Sequence, residues 1–479
     1  MDTKLNKYLN GEKDSFIICR NSQGTEVRAT PLRLTRYVAV FEVYNPYSLL
    51  QLSEVLSDFK IIMHDRLVYA GKAIVSNLVN TGFVLVCEAS LQESWLDVEM
   101  FSPELQGQRL RTGFEDFIHQ WQRMYKVMPE FKVAIADMQT FLTDLRHWLE
   151  QVELGIRSSP ESERAERERE VLVDLGEAIT PAITSLFERF EALPDRIETD
   201  LAPAHRAFAR RQLHPLVLCS PFVFRTYHKP LGYAGDYEMV NMIARDPLEG
   251  GSLFAKAVNL WFLKQAPAEA HRNRIQYLVE QLENETSRAL AKGRPARIIN
   301  LGCGPALEVQ GFLKEHPMSD CTAFTLLDFN EETLVYSRSV LHDVAKAYHR
   351  STPIQLVKKS VNQLLKESGK IVQRTPDQQY DLVYCAGLFD YLSDQVCQRL
   401  LGLLYEWVAP GGLLVATNVD GSNPSRHTME YVLEWHLIYR NSADFTRLVP
   451  EQAPPGTYTV RSDPTGVNIY LECRKPVGE

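Results

Sequence analysis

The chain has 479 residues, of which 45% are hydrophobic and 24% are charged, ordinary values for folded protein that exclude wholesale disorder. Its 52 Lys and Arg residues against 61 Asp and Glu residues give a net charge of −9. This balance argues against a nucleic-acid partner, because such binding draws its affinity from a basic surface. The length predicts two to four domains. No window approaches the roughly 18 uninterrupted apolar residues of a membrane helix, so we expect no membrane span.

Cysteine usage and the first residues indicate the compartment. The eight cysteines are scattered, without a CxxC pair or metal-ligand spacing, and we therefore expect reduced thiols and no metal site. Residues 1–14 lack the apolar core of a signal peptide. The sequence predicts a cytoplasmic protein.

Residues 1–102 have the composition of a β domain. Short runs rich in β-branched and aromatic residues are separated by polar or glycine-containing turns, a pattern that predicts a small barrel or sandwich. Residues 48–56 fit either a helix or a half-buried strand, and periodicity does not decide between them. The strand runs are residues 15–20, 37–43, 59–63 and 82–87.

This zone resembles a PilZ-type barrel, a family that binds cyclic di-GMP through an RxxxR pair followed by a D/NxSxxG strand. Here Arg33 and Arg36 are three positions apart instead of four, and residues 75–82 only loosely match the second element. We therefore expect no cyclic di-GMP binding. A docking or dimerisation module is the simpler interpretation, and a homodimer formed through this zone or the next is the partner we expect.

Residues 103–213 predict a helical bundle or linker domain. Apolar residues recur at spacings of three and four, which marks amphipathic helix faces. The charged stretch 158–170 is interpreted as a solvated loop entering the next helix, and the zone is assigned to packing and oligomerisation. The recurring positions are Phe114, Phe117, Ile118 and Trp121, then Phe141, Leu145, Trp148 and Leu149.

From residue 214 onward, strands alternate with helices. The strands predicted are 296–301, 323–328, 354–357, 381–385 and 413–417, with helices at 307–314, from 331, around 361–365 and from 393. This βα repetition implies a mostly parallel, Rossmann-like sheet with helices on both faces. Ligands of such sheets bind beyond the carboxyl ends of the strands, where the strand order reverses.

A glycine turn follows the first of these strands. Gly302 and Gly304 allow the backbone to approach a ligand closely, and Asp328, at the end of the next strand, can accept hydrogen bonds from both ribose hydroxyls. The third glycine of the dinucleotide fingerprint is replaced by Leu307, and a Walker lysine is absent. A nucleoside ligand without a pyrophosphate therefore fits better than NAD.

Four ordered motifs over residues 290–479 resemble class I S-adenosylmethionine-dependent methyltransferases: residues 298–304, 326–328, 380–391 and 409–412. The resemblance implies S-adenosylmethionine as cofactor. Asn300 stands where many members carry Asp or Glu, and Ser360 stands where many carry an Asp that contacts the adenine. The cofactor-binding residues that it implies are Asn300, Gly302, Cys303, Gly304, Asp328, Phe329, Ser360, Val361, Cys385, Ala386 and Gly387.

A second block, residues 224–237, contains two glycines, a proline and four aromatic residues among charges, which suits an ordered loop over a site. Together with the downstream motifs, it resembles bacterial 3-hydroxypalmitic acid methyl ester biosynthesis proteins over about residues 215–479. That family implies methylation of the carboxylate of a long-chain hydroxy fatty acid. We expect residues 214–290 to form an N-terminal segment of a 214–479 domain, with 225–237 as a lid over the cofactor.

The chemistry of methyl transfer points to further candidates. Arg225 has the planar fork that suits a carboxylate of the cofactor or the substrate. A carboxylate acceptor needs no base, whereas a phenol, amine or alcohol needs one. The catalytic candidates are Tyr227, His228, Tyr233 and Asp236, with Asp390, Tyr391 and the cluster Arg426–Trp435 behind them.

Structural roles compete with these assignments. His228 also fits a capping or core histidine, Asp236 fits the cap of a helix that starts at Tyr237, and His427 with Glu430 fits a solvated helix face. Three alternatives to carboxylate methylation stay open. They are a methyltransferase of a polar small molecule with a His or Tyr base, a cyclic di-GMP-responsive binding protein, and an inactive methyltransferase fold.

Overall fold

The computed structural model describes residues 15–35, 37–43, 50–63, 66–80, 85–92, 118, 126–368 and 379–477. Arg36, Phe114, Phe117 and Trp121 lie outside the described residues. The chain forms two compact units that interleave along the sequence. The first contains the described residues of Met1–Ala234 with Pro247–Phe262 and Ser425–His436, and the second contains Gly235–Asp246, Leu263–Pro424 and Leu437–Glu479.

A closed six-stranded antiparallel barrel lies at the start of the first unit, as the strand runs predict. Its strands follow one another in the order β1-β2-β3-β6-β5-β4, and β4 pairs with β1 to close the barrel. In its core, the ring of Phe59 contacts the rings of Phe41 and Tyr69. Of the ambiguous segment 48–56, residues 50–54 are neither helix nor strand, and β4 begins at Val55. The strands are β1 Phe16–Arg20, β2 Glu26–Leu34, β3 Val38–Val43, β4 Val55–Met63, β5 Arg66–Asn80 and β6 Leu85–Leu91.

Most of the other described residues of the first unit form helices. The interpretation of residues 158–170 as a loop is wrong beyond Pro160, because the charged stretch from Glu161 forms the first turns of a helix. Leu145 and Leu149 are buried as expected, but Trp148 is exposed. No helix in the described ranges is long and apolar enough to cross a membrane. The helices are α1 Pro129–Arg157, α2 Glu161–Glu191, α3 Ala202–Val217, α4 Pro221–His228 and α12 Arg426–Val432, with α6 Leu253–Leu263 ending at the unit boundary.

The second unit is a seven-stranded sheet with helices, and it confirms the predicted Rossmann-like class. Its strands are β7 Ala296–Leu301, β8 Thr322–Asp328, β9 Ile354–Lys358, β10 Tyr380–Cys385, β11 Val408–Val419, β12 Tyr458–Ser462 and β13 Asn468–Arg474. Its helices are α5 Tyr237–Ala244, α7 Ala266–Ala291, α8 Leu307–Glu315, α9 Glu331–Ala347, α10 Val361–Ser368, α11 Asp394–Trp407 and α13 Ser442–Thr446.

The sheet order β12-β13-β11-β10-β7-β8-β9 contains one reversal. From β7 the chain moves outward through β8 to β9, and it then returns to β10 on the other side of β7 and continues to β11. These five strands are parallel, whereas β13 is antiparallel to both of its neighbours. The order reverses between β7 and β10, so a crevice is expected beyond their carboxyl ends.

A buried arginine holds together the segments that follow β10 and β11. The guanidinium of Arg440 donates to the carbonyl oxygens of Phe389 and Leu392, at 2.8 and 2.6 Å, and to Asn418 Oδ1 at 2.7 Å. Asp390 accepts from the backbone N–H of Val419 through Oδ1. This carboxylate therefore has a structural role at the end of β11.

We predict that Arg440→Met lowers the free energy of unfolding by about 3 kcal/mol or more, because it leaves several buried acceptors without a donor. Urea unfolding followed by circular dichroism measures the change. Arg447→Met is the matched control, because Arg447 and its partner Asp444 form an exposed pair on the same stretch of chain, and we expect a change below about 1 kcal/mol. Equal effects of the two substitutions would contradict the role of Arg440.

Candidate functional site

The loop between β7 and α8 turns sharply at the reversal point. Gly302 and Gly304 have φ angles of +74° and +50°, a region that favours glycine. The N–H groups of Gly302 and Cys303 donate to the carbonyl of Leu327 at 2.8 and 3.0 Å. A Cβ at Gly304 would meet no atom within 4 Å, and one at Gly302 would meet only Leu388 Cδ2 at 3.9 Å. The backbone of this loop therefore borders open space.

Asp328 lies at the end of β8, next to this loop. Its Oδ2 accepts from the Gly304 N–H at 3.1 Å, and its Oδ1 accepts from the Asn330 N–H at 2.9 Å. The residue is 6% exposed, and burial raises the pKa of its carboxyl from 3.8 to about 6. The backbone N–H of Phe329 is a further partner of this carboxylate and, like the other two, it favours the ionised form. The sequence prediction that Gly302, Gly304 and Asp328 meet at one end of the sheet is consistent with this geometry.

A second carboxylate, which sequence analysis missed, lies at the start of α8. Oε1 of Glu308 accepts from Asn300 Nδ2 at 3.1 Å and from the Tyr384 hydroxyl at 2.8 Å. Glu308 is 6% exposed, and burial raises the pKa of its carboxyl. Glu308 therefore places a buried carboxylate beside Asn300, at the end of β7.

Gly387 follows β10 on the other side of the reversal point, after Cys385 and Ala386. Its φ is +83°, and its N–H donates to Thr417 Oγ1 at 3.0 Å. The guanidinium of Arg274 on α7 occupies the space beside it, because a Cβ at Gly387 would lie 3.0 Å from Nη1 and 3.1 Å from Nη2. Cys303 and Cys385 are buried, which raises the pKa of both thiols.

The other residues of the implied cofactor set, Phe329, Ser360 and Val361, have different local settings. Phe329 directly follows Asp328, and Asn330 caps α9 by accepting from the Thr333 N–H at 3.1 Å. Ser360 caps α10: its Oγ accepts from the Gln363 N–H at 3.3 Å, while Gln363 Oε1 accepts from the Ser360 N–H at 2.9 Å. This reciprocal pair is a capping box. Val361 is the first residue of that helix and is buried.

The upstream block spans the boundary between the two units. In the first unit, α4 ends at His228, whose Nδ1 lies 2.9 Å from the Phe224 carbonyl oxygen. Lys229 follows with φ +46° and is 2% exposed. Its Nζ donates to the Leu433 carbonyl at 3.2 Å, and burial lowers the pKa of its amine to about 7. The carbonyl of Gly232 accepts from the Val55 N–H at 2.6 Å. Arg225, Tyr227 and Tyr233 are half-buried in this unit.

Asp236 belongs to the second unit, where it caps α5 as the structural interpretation expects. Its Oδ1 accepts from the Met239 N–H at 2.9 Å, and the residue is buried. Gly235 beside it leaves little room for a side chain, since a Cβ there would lie 3.0 Å from the Tyr391 hydroxyl. The carboxylate of Asp236 therefore has a structural hydrogen bond.

The late cluster, residues 426–435, belongs to the first unit. The carboxylate of Glu191 accepts from the N–H groups of His427 and Thr428 at 2.9 and 2.6 Å, at the start of α12. The His427 ring contacts Asp195 at 3.1 Å, and Glu430 pairs with Arg426. Glu434 is buried and forms an ion pair with Arg210. The interpretation of His427 as part of a solvated face is wrong, because its side chain is mostly buried.

One signal in the sequence could have identified Arg274. Its position on α7 is in phase with buried Ala270, Tyr277 and Leu278 at spacings of three and four, so a charged residue falls on the apolar face of the helix. Glu308 gives a weaker signal, because an acid in the first turn of a helix is common on electrostatic grounds alone.

Comparison with known proteins finds solved structures of low similarity to this chain. No known protein family and no curated protein matches the chain. A possible exported protein from Bordetella parapertussis has a TM-score of 0.40 at 17% identity, covering 53% of this chain and 86% of that one. Magnesium protoporphyrin IX methyltransferase from Synechocystis PCC 6803 with bound SAH has a TM-score of 0.32 at 9% identity, covering 56% and 99%. An O-methyltransferase family protein from Burkholderia thailandensis has a TM-score of 0.31 at 14% identity, covering 51% and 69%. All three TM-scores are below 0.5, so these similarities support neither a fold nor a function for this chain.

The raised pKa of Asp328 predicts a pH-dependent cost of folding. Because this pKa is higher in the folded chain than in the unfolded chain, the stability that protonated Asp328 provides is lost as the pH rises from about 4 through about 6. Relative to wild type, Asp328→Asn should therefore gain about 1 kcal/mol of unfolding free energy between pH 5 and pH 7. Urea unfolding of both proteins at several pH values measures this gain. A difference that stays constant with pH would contradict the raised pKa.

Proposed function

We propose that the chain is an S-adenosylmethionine-dependent methyltransferase whose cofactor site lies at the carboxyl ends of β7, β8 and β10. The observation that carries the proposal is the meeting of a positive-φ glycine loop with a buried carboxylate at the reversal of the strand order. In open parallel sheets this is where nucleotide ligands bind. The Rossmann-like order of the sheet and the motifs of the sequence support the same assignment.

The residues present fit this cofactor. The glycine loop borders open space where a side chain would otherwise project, so a ligand can lie directly against its backbone. Asp328 is a carboxylate beside this open space, and its oxygens can accept from the hydroxyls of a ribose. The crevice carries carboxylates and a guanidinium without a lysine-bearing phosphate loop, which suits a nucleoside joined to an amino acid.

The chain's own residues have positioning roles in this proposal. When bound, S-adenosylmethionine supplies an already activated methyl group on its sulfonium. Asp328 would hold the ribose, and the backbone of Gly302 to Gly304 leaves room for the cofactor beside β7. The segment from Cys385 to Gly387 would border the sulfonium. Holding the donor and acceptor in line in this way supplies a large part of the rate acceleration.

We further propose that the acceptor is a carboxylate, as in a fatty-acid-like substrate. One of the candidate bases supports this choice, because the carboxylate of Asp236 already caps a helix. A carboxylate is ionised at neutral pH and attacks without losing a proton. Roles for Tyr227, His228, Tyr233 and Arg225 at the acceptor remain predictions from sequence.

The test of the cofactor assignment is isothermal titration calorimetry with S-adenosylmethionine. We expect the full chain to bind it and Asp328→Asn to bind at least 10-fold more weakly, because charge-assisted hydrogen bonds are stronger than neutral ones. The matched control is Asp343→Asn, an exposed acid on the following helix, which should keep wild-type affinity. Absence of binding by the folded wild-type chain would contradict the proposed function.

The acceptor is tested with S-adenosylmethionine carrying a labelled methyl group and with 3-hydroxypalmitate as the acceptor probe. A methyl ester releases its methyl group as volatile methanol in mild alkali, whereas methylated amines and phenols retain it. We expect labelled product whose label becomes volatile under these conditions. A product whose label resists alkali, formed with this probe or from a metabolite extract, would contradict carboxylate methylation and leave the cofactor assignment intact.

A further inference from the structure

A buried guanidinium lies beside the cofactor site proposed above. Arg274 is 7% exposed, on the face of α7 that packs into the second unit. Arginine is almost never this buried unless it is paired, because its charge loses the solvation of water. A guanidinium buried to this extent therefore needs a group that compensates its charge.

Arg274 has no such partner in the part of the chain that the structure describes. No carboxylate oxygen lies within 4 Å of its guanidinium, and no hydrogen bond joins its side chain to another described group. Two buried carboxylates act on it from farther away. Burial raises the pKa of Glu308 and of Asp390, and the positive charge of Arg274 acts in the opposite direction on both. Its five N–H donors remain to be satisfied.

The guanidinium has a defined position. Nη1 and Nη2 lie 3.0 and 3.1 Å from where a Cβ of Gly387 would be, so the terminal nitrogens occupy the side-chain space at the end of β10. The N–H of Gly387 is fixed by Thr417. The guanidinium of Arg274 therefore lies at the carboxyl end of β10, next to the reversal of strand order where the cofactor site is proposed.

We propose, on the basis of the proposed function, that Arg274 binds the α-carboxylate of the methionine part of S-adenosylmethionine. A planar guanidinium matches a carboxylate with two parallel hydrogen bonds. The carboxylate is the only anionic group of this cofactor, and it satisfies the donors of Arg274 that the described chain leaves without partners. Arg274 takes the role that the sequence alone suggested for Arg225, and it makes the site selective for adenosyl ligands that carry a complete amino acid.

The test compares two ligands that differ only in this carboxylate. S-adenosylhomocysteine and its decarboxylated analogue, an adenosine with a 3-aminopropylthio group at C5′, are titrated calorimetrically into the full chain. We expect wild type to bind S-adenosylhomocysteine at least 30-fold more tightly than the analogue. Arg274→Met should bind both ligands with the affinity that wild type has for the analogue, and Arg274→Lys should retain part of the preference.

Arg288→Met is the matched control, because Arg288 lies on the same helix with an exposed side chain, and it should keep the wild-type ratio. If wild type binds S-adenosylhomocysteine and the analogue with equal affinity, this result alone overturns the inference. A full preference in Arg274→Met overturns it as well. In both cases the proposed function stands, whereas failure of wild type to bind either ligand overturns the proposed function itself.

Discussion

The reversal of strand order between β7 and β10 is the constraint on which the functional site depends. These two parallel strands are hydrogen-bonded neighbours, but the chain leaves β7 toward β8 and leaves β10 toward β11, on the opposite side. The two connections therefore diverge, and the carboxyl ends between them are not covered by either connection. The glycine loop, Asp328, Glu308 and Gly387 with Arg274 all lie at the ends of strands that this reversal brings together.

The buried charged groups at this site lower the free energy of unfolding. Asp328 and Glu308 are carboxylates whose pKa burial raises, and Arg274 is a buried cation without a direct partner among the described residues. Each group has lost water without gaining a full ion pair. Such arrangements occur in functional sites because a ligand supplies the missing interactions when it binds. The structural ion networks elsewhere differ in this respect, since Arg440 has its hydrogen bonds satisfied within the chain.

The sequence predicted the five parallel strands of the sheet because local signals agreed, but it did not predict β12 and β13. The apolar run before Gly302 identified β7, and the alternation of such runs with amphipathic segments predicted that the strands are mostly parallel. Composition misleads at Glu161, because the charged stretch that suggests a loop also suits an exposed helix with paired charges. Arg274 and Gly387 are 113 positions apart, and periodicity carries no information about such a contact. For the same reason, the sequence did not show that residues 425–436 belong with the barrel in one compact unit.

Hydrogen–deuterium exchange of the full chain, with and without saturating S-adenosylhomocysteine, tests the location of the site most directly. The account predicts slower exchange in peptides that cover residues 300–308, 328–331 and 385–388, the three strand ends that border the reversal. Peptides from the barrel strands between residues 15 and 92 should be unchanged in comparison. Protection confined to the barrel, or none at the three strand ends under saturating ligand, would contradict the account.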